Sequence, residues 1–307
     1  MAPLSLSNAT ARITIRPDLG AGLTSFDVMH RGGWTPVFRS VDPETEHPFG
    51  LSNILLIPFS GRVSGGGFAF EGAFHPVERN MQSEKHPIHG SGFSVAWATA
   101  ERTDEAITLF LDGEGPGPFR YDATMTYRLS GATLVMELAV TNRAALTLPY
   151  GLGFHPWFVR DRNTHLTARA EHVWLEHEDH LPKAREAVSA HLELDFNRRR
   201  QLPRSWVNNW FAGWDRQARI DWPDRELSVA VVASELLSQY VLFSPSGDAD
   251  FFCFEPVSHP VDAFNLPEGP VDHGMVKLAP GDELKASASF SVASQADPNG
   301  NAVVKEP

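Results

Sequence analysis

Apolar residues recur at every second position over much of this chain, and that period restricts the fold class more than any other feature. In Thr133–Asn142, Leu134, Met136, Leu138 and Val140 fall on one face. Met125, Tyr127 and Leu129 repeat the pattern, as do Ile107, Leu109 and Leu111. So do Leu227, Val229 and Val231, and near the end Ala286, Ala288, Phe290 and Val292. Successive side chains of a strand point to opposite faces, so each run predicts a strand with one buried face. Turn-forming residues separate the runs: Arg31-Gly32-Gly33, Ser130-Gly131, Pro245-Ser246-Gly247-Asp248 and Pro280-Gly281-Asp282. With 24 Gly and 23 Pro spread throughout, long helices have little room. Many short strands with frequent turns predict an all-β sandwich or barrel. No composition break, linker or internal repeat divides the chain, so residues 1–307 read as one domain. The best helical candidate is Pro182–Leu194, with proline in a plausible first turn. The charged, weakly periodic stretch Glu171–Pro203 reads as a lid or an edge-covering segment, and Gln295–Pro307 as a loose tail.

Composition narrows the function. With 42% hydrophobic and 21% charged residues, the bulk of the chain is not disordered. The apolar runs are short and interrupted, which excludes a transmembrane helix. Met1–Ser5 has no basic n-region and no apolar h-region, so no signal peptide is expected. The net charge of -12, from 26 basic and 38 acidic residues, argues against nucleic acid and against an anionic membrane surface. A neutral small molecule suits that balance. A single cysteine, Cys253, excludes an internal disulfide and a Cys-based zinc site, and points to a reducing, cytoplasmic setting. The 13 His and 8 Trp are the unusual counts: acid/base groups near neutral pH, and flat apolar faces.

Four blocks carry candidate chemistry. In Pro58-Phe59-Ser60-Gly61-Arg62-Val63, Arg62 is either a surface residue at a strand end or a fork of donors for sugar hydroxyls or a carboxylate. In His86-Pro87-Ile88-His89-Gly90, the glycine suggests a tight turn presenting His89. The two histidines could ligate metal, but no third ligand is evident nearby. In Leu148–Phe158, His155 lies among aromatics; partial desolvation lowers its pKa and suits it to proton exchange, unless it is a satisfied core histidine. Trp157 could stack on an apolar sugar face. In Phe251-Phe252-Cys253-Phe254-Glu255, a glutamate following four apolar residues is either solvated at the strand end or buried, where its raised pKa suits a general base. No GxSxG elbow, P-loop or dinucleotide fingerprint occurs. The run Arg198-Arg199-Arg200 is a solvated face or a weak phosphate site.

These blocks, in this order from about Arg12 to Val292, resemble the aldose 1-epimerase (galactose mutarotase) family. The resemblance implies a large antiparallel β-sandwich, the galactose mutarotase-like supersandwich, with an open cleft on one sheet face. It implies no metal and no organic cofactor, and a monosaccharide substrate. Glu255 corresponds to the general base, His155 to the general acid, and Arg62 and His89 to sugar-binding groups. The family's sugar-binding Asp falls in Val207-Asn208-Asn209-Trp210-Phe211, where this chain has Asn208. An amide keeps an acceptor and loses the charge, which opens the question of sugar specificity. The implied reaction is α/β anomer exchange by ring opening and closure, with carboxylate and imidazole on opposite sides of the sugar. Alternative readings are a hexose-6-phosphate 1-epimerase, for which Arg198–Arg200 would serve, a glycosidase, for which only one carboxylate stands in a convincing setting, and a non-catalytic sugar-binding or regulatory protein.

Overall fold

The alternating runs form strands at the expected places, and they assemble into two large antiparallel sheets packed face to face. The computed structural model describes residues 1–42 and 44–294. The expected tail 295–307 lies outside the described residues.

The first sheet is ordered Leu4–Ser7, Ala11–Arg16, Gly22–His30, Asn53–Leu56, Gly153–Val159, Phe251–Val257, Gln239–Ser244, Val207–Ala212, His172–Glu176 and Pro182–Ala187, with Gly33–Pro36 beside Gly22–His30. The second runs Arg200–Gln201, His165–Ala168, Gln217–Trp222, Leu227–Ala233, Glu283–Ser294, Thr133–Asn142, Arg120–Ser130, Ala106–Glu114 and Ala98–Arg102. The central strands of the second sheet alternate: in Arg120–Ser130, Tyr121, Ala123, Met125, Tyr127 and Leu129 are buried, while Arg120, Thr124, Arg128 and Ser130 are exposed. One of its faces meets the core and the other meets water. No helix among the described residues is long and apolar enough to cross a membrane.

The centre of the first sheet breaks the alternation. Every residue of Asn53–Leu56 and Gly153–Val159 is buried, as are six of the seven in Phe251–Val257. These strands are covered on both faces, so their sequences read as near-continuous apolar runs. Phe154, Phe158, Phe252 and Phe254 point into the sandwich core. Ile54, Trp157, Trp210, Val241 and Cys253 belong to a second apolar cluster on the opposite face. Phe158 ties the layers together: its ring lies 5.0 Å from Phe38, 5.6 Å from Phe252 and 5.9 Å from Phe290 of the second sheet.

The helix expected over Pro182–Leu194 is not formed. Pro182–Ala187 is the edge strand of the first sheet, and Val188–Ala190 and Leu192–Leu194 are single 3₁₀ turns. Pro182, Ala184 and Glu186 are half-buried, while Lys183, Arg185 and Ala187 are exposed, a period of two rather than 3.6. Pairing with His172–Glu176 overrides local propensity, and an edge strand tolerates proline at its first residue. The stretch Glu171–Pro203 supplies the end strands of both sheets.

Phe158→Ala should cost about 3–5 kcal/mol, the usual range for emptying an aromatic site in a core. The check is a lower denaturant midpoint at unchanged slope. Gly90 is a second point of strain. It has φ +71°, and a Cβ there would stand 1.9 Å from the carbonyl oxygen of Ile57, a backbone atom that cannot rotate away. Gly90→Ala should destabilise by about 2 kcal/mol or more, read by thermal unfolding, and should lower activity by displacing His89.

Candidate active site

Strand register brings the expected catalytic residues together. Gly153 pairs with Val257 and Trp157 with Cys253, which sets His155 directly across from Glu255. The row continues through Val241, opposite Glu255, to Trp210, opposite Val241. Two residues along each strand, hence on the same face, a parallel row holds Trp157, Cys253, Phe243 and Asn208. Together with the loops above them these rows line a cleft of about 420 Å³, a size suited to a small ligand. Arg62, His89, His155, Trp157, Asn208 and Glu255 all border it.

His155 Nε2 lies 3.3 Å from Glu255 Oε1. Only 3% of Glu255 is exposed, and His155 is also buried. Burial drives Glu255 well above the usual carboxylate range, against the opposing charge of Arg62. Burial, with the nearby Arg39 cation second, pushes His155 down to about 3. The two groups are in direct contact, not on opposite sides of a sugar.

Two loops complete the site. His89 has φ +58°, followed by Gly90 at +71°, so the turn carries the imidazole inward. Its Nδ1 accepts the N–H of Gly61 at 3.0 Å, which places the ring proton on Nε2 as a donor. Burial lowers the His89 pKa well below normal, with His155, Arg62 and His259 adding to the effect, so it is a neutral donor. Arg62 donates from Nε and from a terminal nitrogen to Glu84 Oε2, at 3.1 and 2.9 Å. His259 accepts the N–H of Ser60 at 3.1 Å and anchors the Arg62 loop to the end of the Glu255 strand.

One expectation needs correction, and two weaker candidates find no place in the cleft. Trp157 lines the cleft, but its ring is stacked on His155 at 3.9 Å and carries the Arg39 guanidinium at 4.5 Å. It packs against His155 and Arg39 rather than offering a free face. Arg198–Arg200 do not border the cleft; Arg199 pairs with Asp221, and Arg200 donates to the Asp195 carbonyl at an edge of the second sheet. His86 turns toward Asp179 at 3.8 Å, while His89 Nδ1 accepts from Gly61 and the ring faces the cleft. Among the described residues, the group whose chemistry could hold an ion is His155, Cys253 and Glu255, with ligand atoms within 4.8 Å of one another. Burial raises the Cys253 thiol well above normal, and the Glu255 charge adds to the effect, so the thiolate that a metal needs is disfavoured.

Sequence reasoning missed Arg39, Glu84, Glu176, His180, Trp206 and Trp210. All but Glu176 border the cleft, and Glu176 hydrogen-bonds three residues, of which His180, Trp206 and Asn208 do border it. Trp210 was readable, because it lies two residues from Asn208 on the same strand face. Arg39 gave no local signal: its guanidinium donates to the carbonyls of Phe49 and Leu51 and lies over Phe251 at 5.0 Å, all contacts set by the fold.

Comparison with known proteins agrees with this geometry. The profile of the aldose 1-epimerase family matches residues 4–291. The uncharacterized protein YphB of Escherichia coli K12 is 35% identical over 288 residues, covering 89% of this chain and 97% of its own length. YihR of the same organism, also uncharacterized, is 26% identical over 231 residues, 72% of this chain and 74% of its own. The crystal structure of a candidate aldose 1-epimerase from Escherichia coli K12 superposes with a TM-score of 0.88 at 32% identity, covering 95% of this chain and 99% of that one. A galactose mutarotase-like protein of Clostridium acetobutylicum shares the fold at 16% identity, with a TM-score of 0.82 and 95% of each chain covered. This chain belongs to the aldose 1-epimerase family.

Proposed function

We propose that the protein is an aldose 1-epimerase acting on a free hexose in the cytoplasm, with Glu255 as base and His155 as acid. The observation that carries this reading is the buried 3.3 Å contact between them at the floor of the cleft. Glu255 takes the proton of the C1 hydroxyl, the bond from C1 to the ring oxygen breaks, and the ring oxygen takes a proton from His155. The open aldehyde turns about the C1–C2 bond and presents its other face. Ring closure returns one proton to His155 and the other, through Glu255, to the new C1 hydroxyl. Every group ends as it began. His89 Nε2–H, Arg62 and Asn208 hold the sugar hydroxyls. Phosphorylated sugar is the weaker reading: Arg62 is engaged by Glu84, Arg39 by backbone carbonyls, and the arginine run lies elsewhere.

The pKa directions determine the pH profile. Burial disfavours both charges, so the pair rests with one proton, on Glu255, beside a neutral His155. The working form, carboxylate and imidazolium, has the same proton count. Its share of the singly protonated pair does not change with pH. Activity therefore falls in acid only when His155 gains a second proton for the pair, near its depressed pKa of about 3. It falls in alkali when the pair loses its single proton, well above the ordinary carboxylate range. The limbs are thus reversed from the ordinary order of glutamate and histidine.

Glu255→Gln keeps the shape but cannot accept the C1 proton. Mutarotation of a fresh α-anomer, followed by polarimetry, should slow by about 10²-fold or more, with far less change in sugar binding. The alkaline limb of kcat/KM should disappear in the residual activity. Near wild-type mutarotation in this variant would refute the assignment. Exhaustive chelation should leave the wild-type rate unchanged, and a loss restored by one particular divalent ion would show that metal takes part.

A further inference from the structure

The wall of the cleft that contains Asn208 is organised by a residue that does not itself border the cleft. Trp174 pairs with Trp210, which sets Glu176 across from Asn208, two residues on in each strand. Asn208 Nδ2 donates to Glu176 Oε2 at 2.7 Å. His180 Nδ1 reaches the same oxygen at 2.8 Å, and Trp206 Nε1 donates to Glu176 Oε1 at 2.9 Å. The Glu176 side chain is only 16% exposed. Its three donors all line the cleft.

We propose that Glu176 is a positioning carboxylate that fixes Asn208, His180 and Trp206 as one sugar-recognising wall, and that it is the reason residue 208 is an amide. The proposal rests on the reading of the cleft as a hexose site. A carboxylate only accepts, so it settles two orientations. The Asn208 amide nitrogen must face Glu176, which leaves Oδ1 as the acceptor for a sugar hydroxyl. His180 must carry its proton on Nδ1, which leaves Nε2 toward the ligand. Trp206, 50% exposed, is braced edge-on by Phe243 at 5.1 Å and lies over His180 at 5.9 Å. Its open face is the stacking platform that Trp157 cannot be. A carboxylate at position 208 would set two like charges in contact, so in this chain the negative charge stands one strand away, on Glu176, and the amide relays its orientation.

The test is a mutant cycle of Glu176→Gln, Asn208→Asp and the double variant, with Trp206→Phe alongside. KM and kcat come from polarimetry of fresh α-D-glucose and α-D-galactose, and Kd for each equilibrated sugar from calorimetry. Each single variant of the 176/208 pair should raise KM and Kd by about tenfold, the scale of one hydrogen bond to a charged group, with a much smaller effect on kcat. The double variant exchanges amide and carboxylate across the same contact. The introduced amide at position 176 then donates to the introduced carboxylate at position 208 and, from the same nitrogen, to His180 Nδ1, whose proton moves to Nε2; the contact is remade with one tautomer changed, and the binding loss should be clearly smaller than the sum of the two single losses. Trp206→Phe removes only the indole donor at an exposed position and should weaken binding in the same direction. Additive losses in the double variant, or single variants with unchanged Kd and KM, would overturn the proposal. If Asn208→Asp fails to fold, Glu176→Gln and Trp206→Phe still decide it. A wild type that binds hexose without interconverting anomers would defeat the proposed activity alone, and the cycle would still be read in Kd. Normal wild-type activity without coupling would defeat this inference alone.

Discussion

A carboxyl group and an imidazole stand 3.3 Å apart in a place where burial lets neither hold a charge cheaply, and the rest of the cleft is arranged around that contact. Glu255 and His155 lie on adjacent central strands that are covered on both faces. Isolated, a buried charge at either position would cost several kcal/mol. Side by side at 3.3 Å, with burial raising Glu255 and lowering His155, both groups favour their uncharged forms and avoid that cost. The sandwich core makes this arrangement rigid. Phe154, Phe158, Phe252 and Phe254 anchor the same two strands from behind, so the rings that fill the core also fix the spacing of the reacting groups.

The cations around the pair are held in reserve by neutral or paired partners. Arg39 lies over Trp157 and Phe251 and donates to carbonyl oxygens, so its charge is only partly compensated and its field helps keep His155 unprotonated. Arg62 opposes the rise in the Glu255 pKa while being steered by Glu84. These two opposed influences work on the two ends of one proton. A change at either arginine would therefore redistribute that proton without touching the pair itself.

The fold class was legible because alternation is a local property. Each of the runs around Ile107, Met125, Leu134, Val229 and Phe290 became a strand of the second sheet, which has one wet face. The central strands of the first sheet were recognisable by motif rather than by period, since burial on both faces erases alternation. The helix expected after Pro182 failed for the opposite reason: the stretch is strand-like only because His172–Glu176 lies beside it. In the cleft, the six residues expected from sequence all arrive at one place, yet Trp157 changes role once His155 and Arg39 occupy its ring. Arg39, Glu176 and His180 were invisible, because their partners come from distant strands and turns and no spacing rule links them.

The reaction proposed for this cleft would also explain why so little machinery suffices. Exchange between two anomers moves a sugar between states of similar free energy, so the site needs no driving force, only a lower barrier in both directions. The two oxygens that trade protons are attached to one carbon, so a donor and an acceptor in mutual contact serve better than groups facing one another across a ring. Opening uses the pair in one sense and closure in the other, and the pair must be equally competent in each. A strong acid beside a strong base would be locked as an ion pair in one of those senses. Burial, by raising Glu255 and lowering His155, removes that automatic ionisation and leaves the proton on the carboxyl until a ligand in the cleft changes the surroundings of the pair.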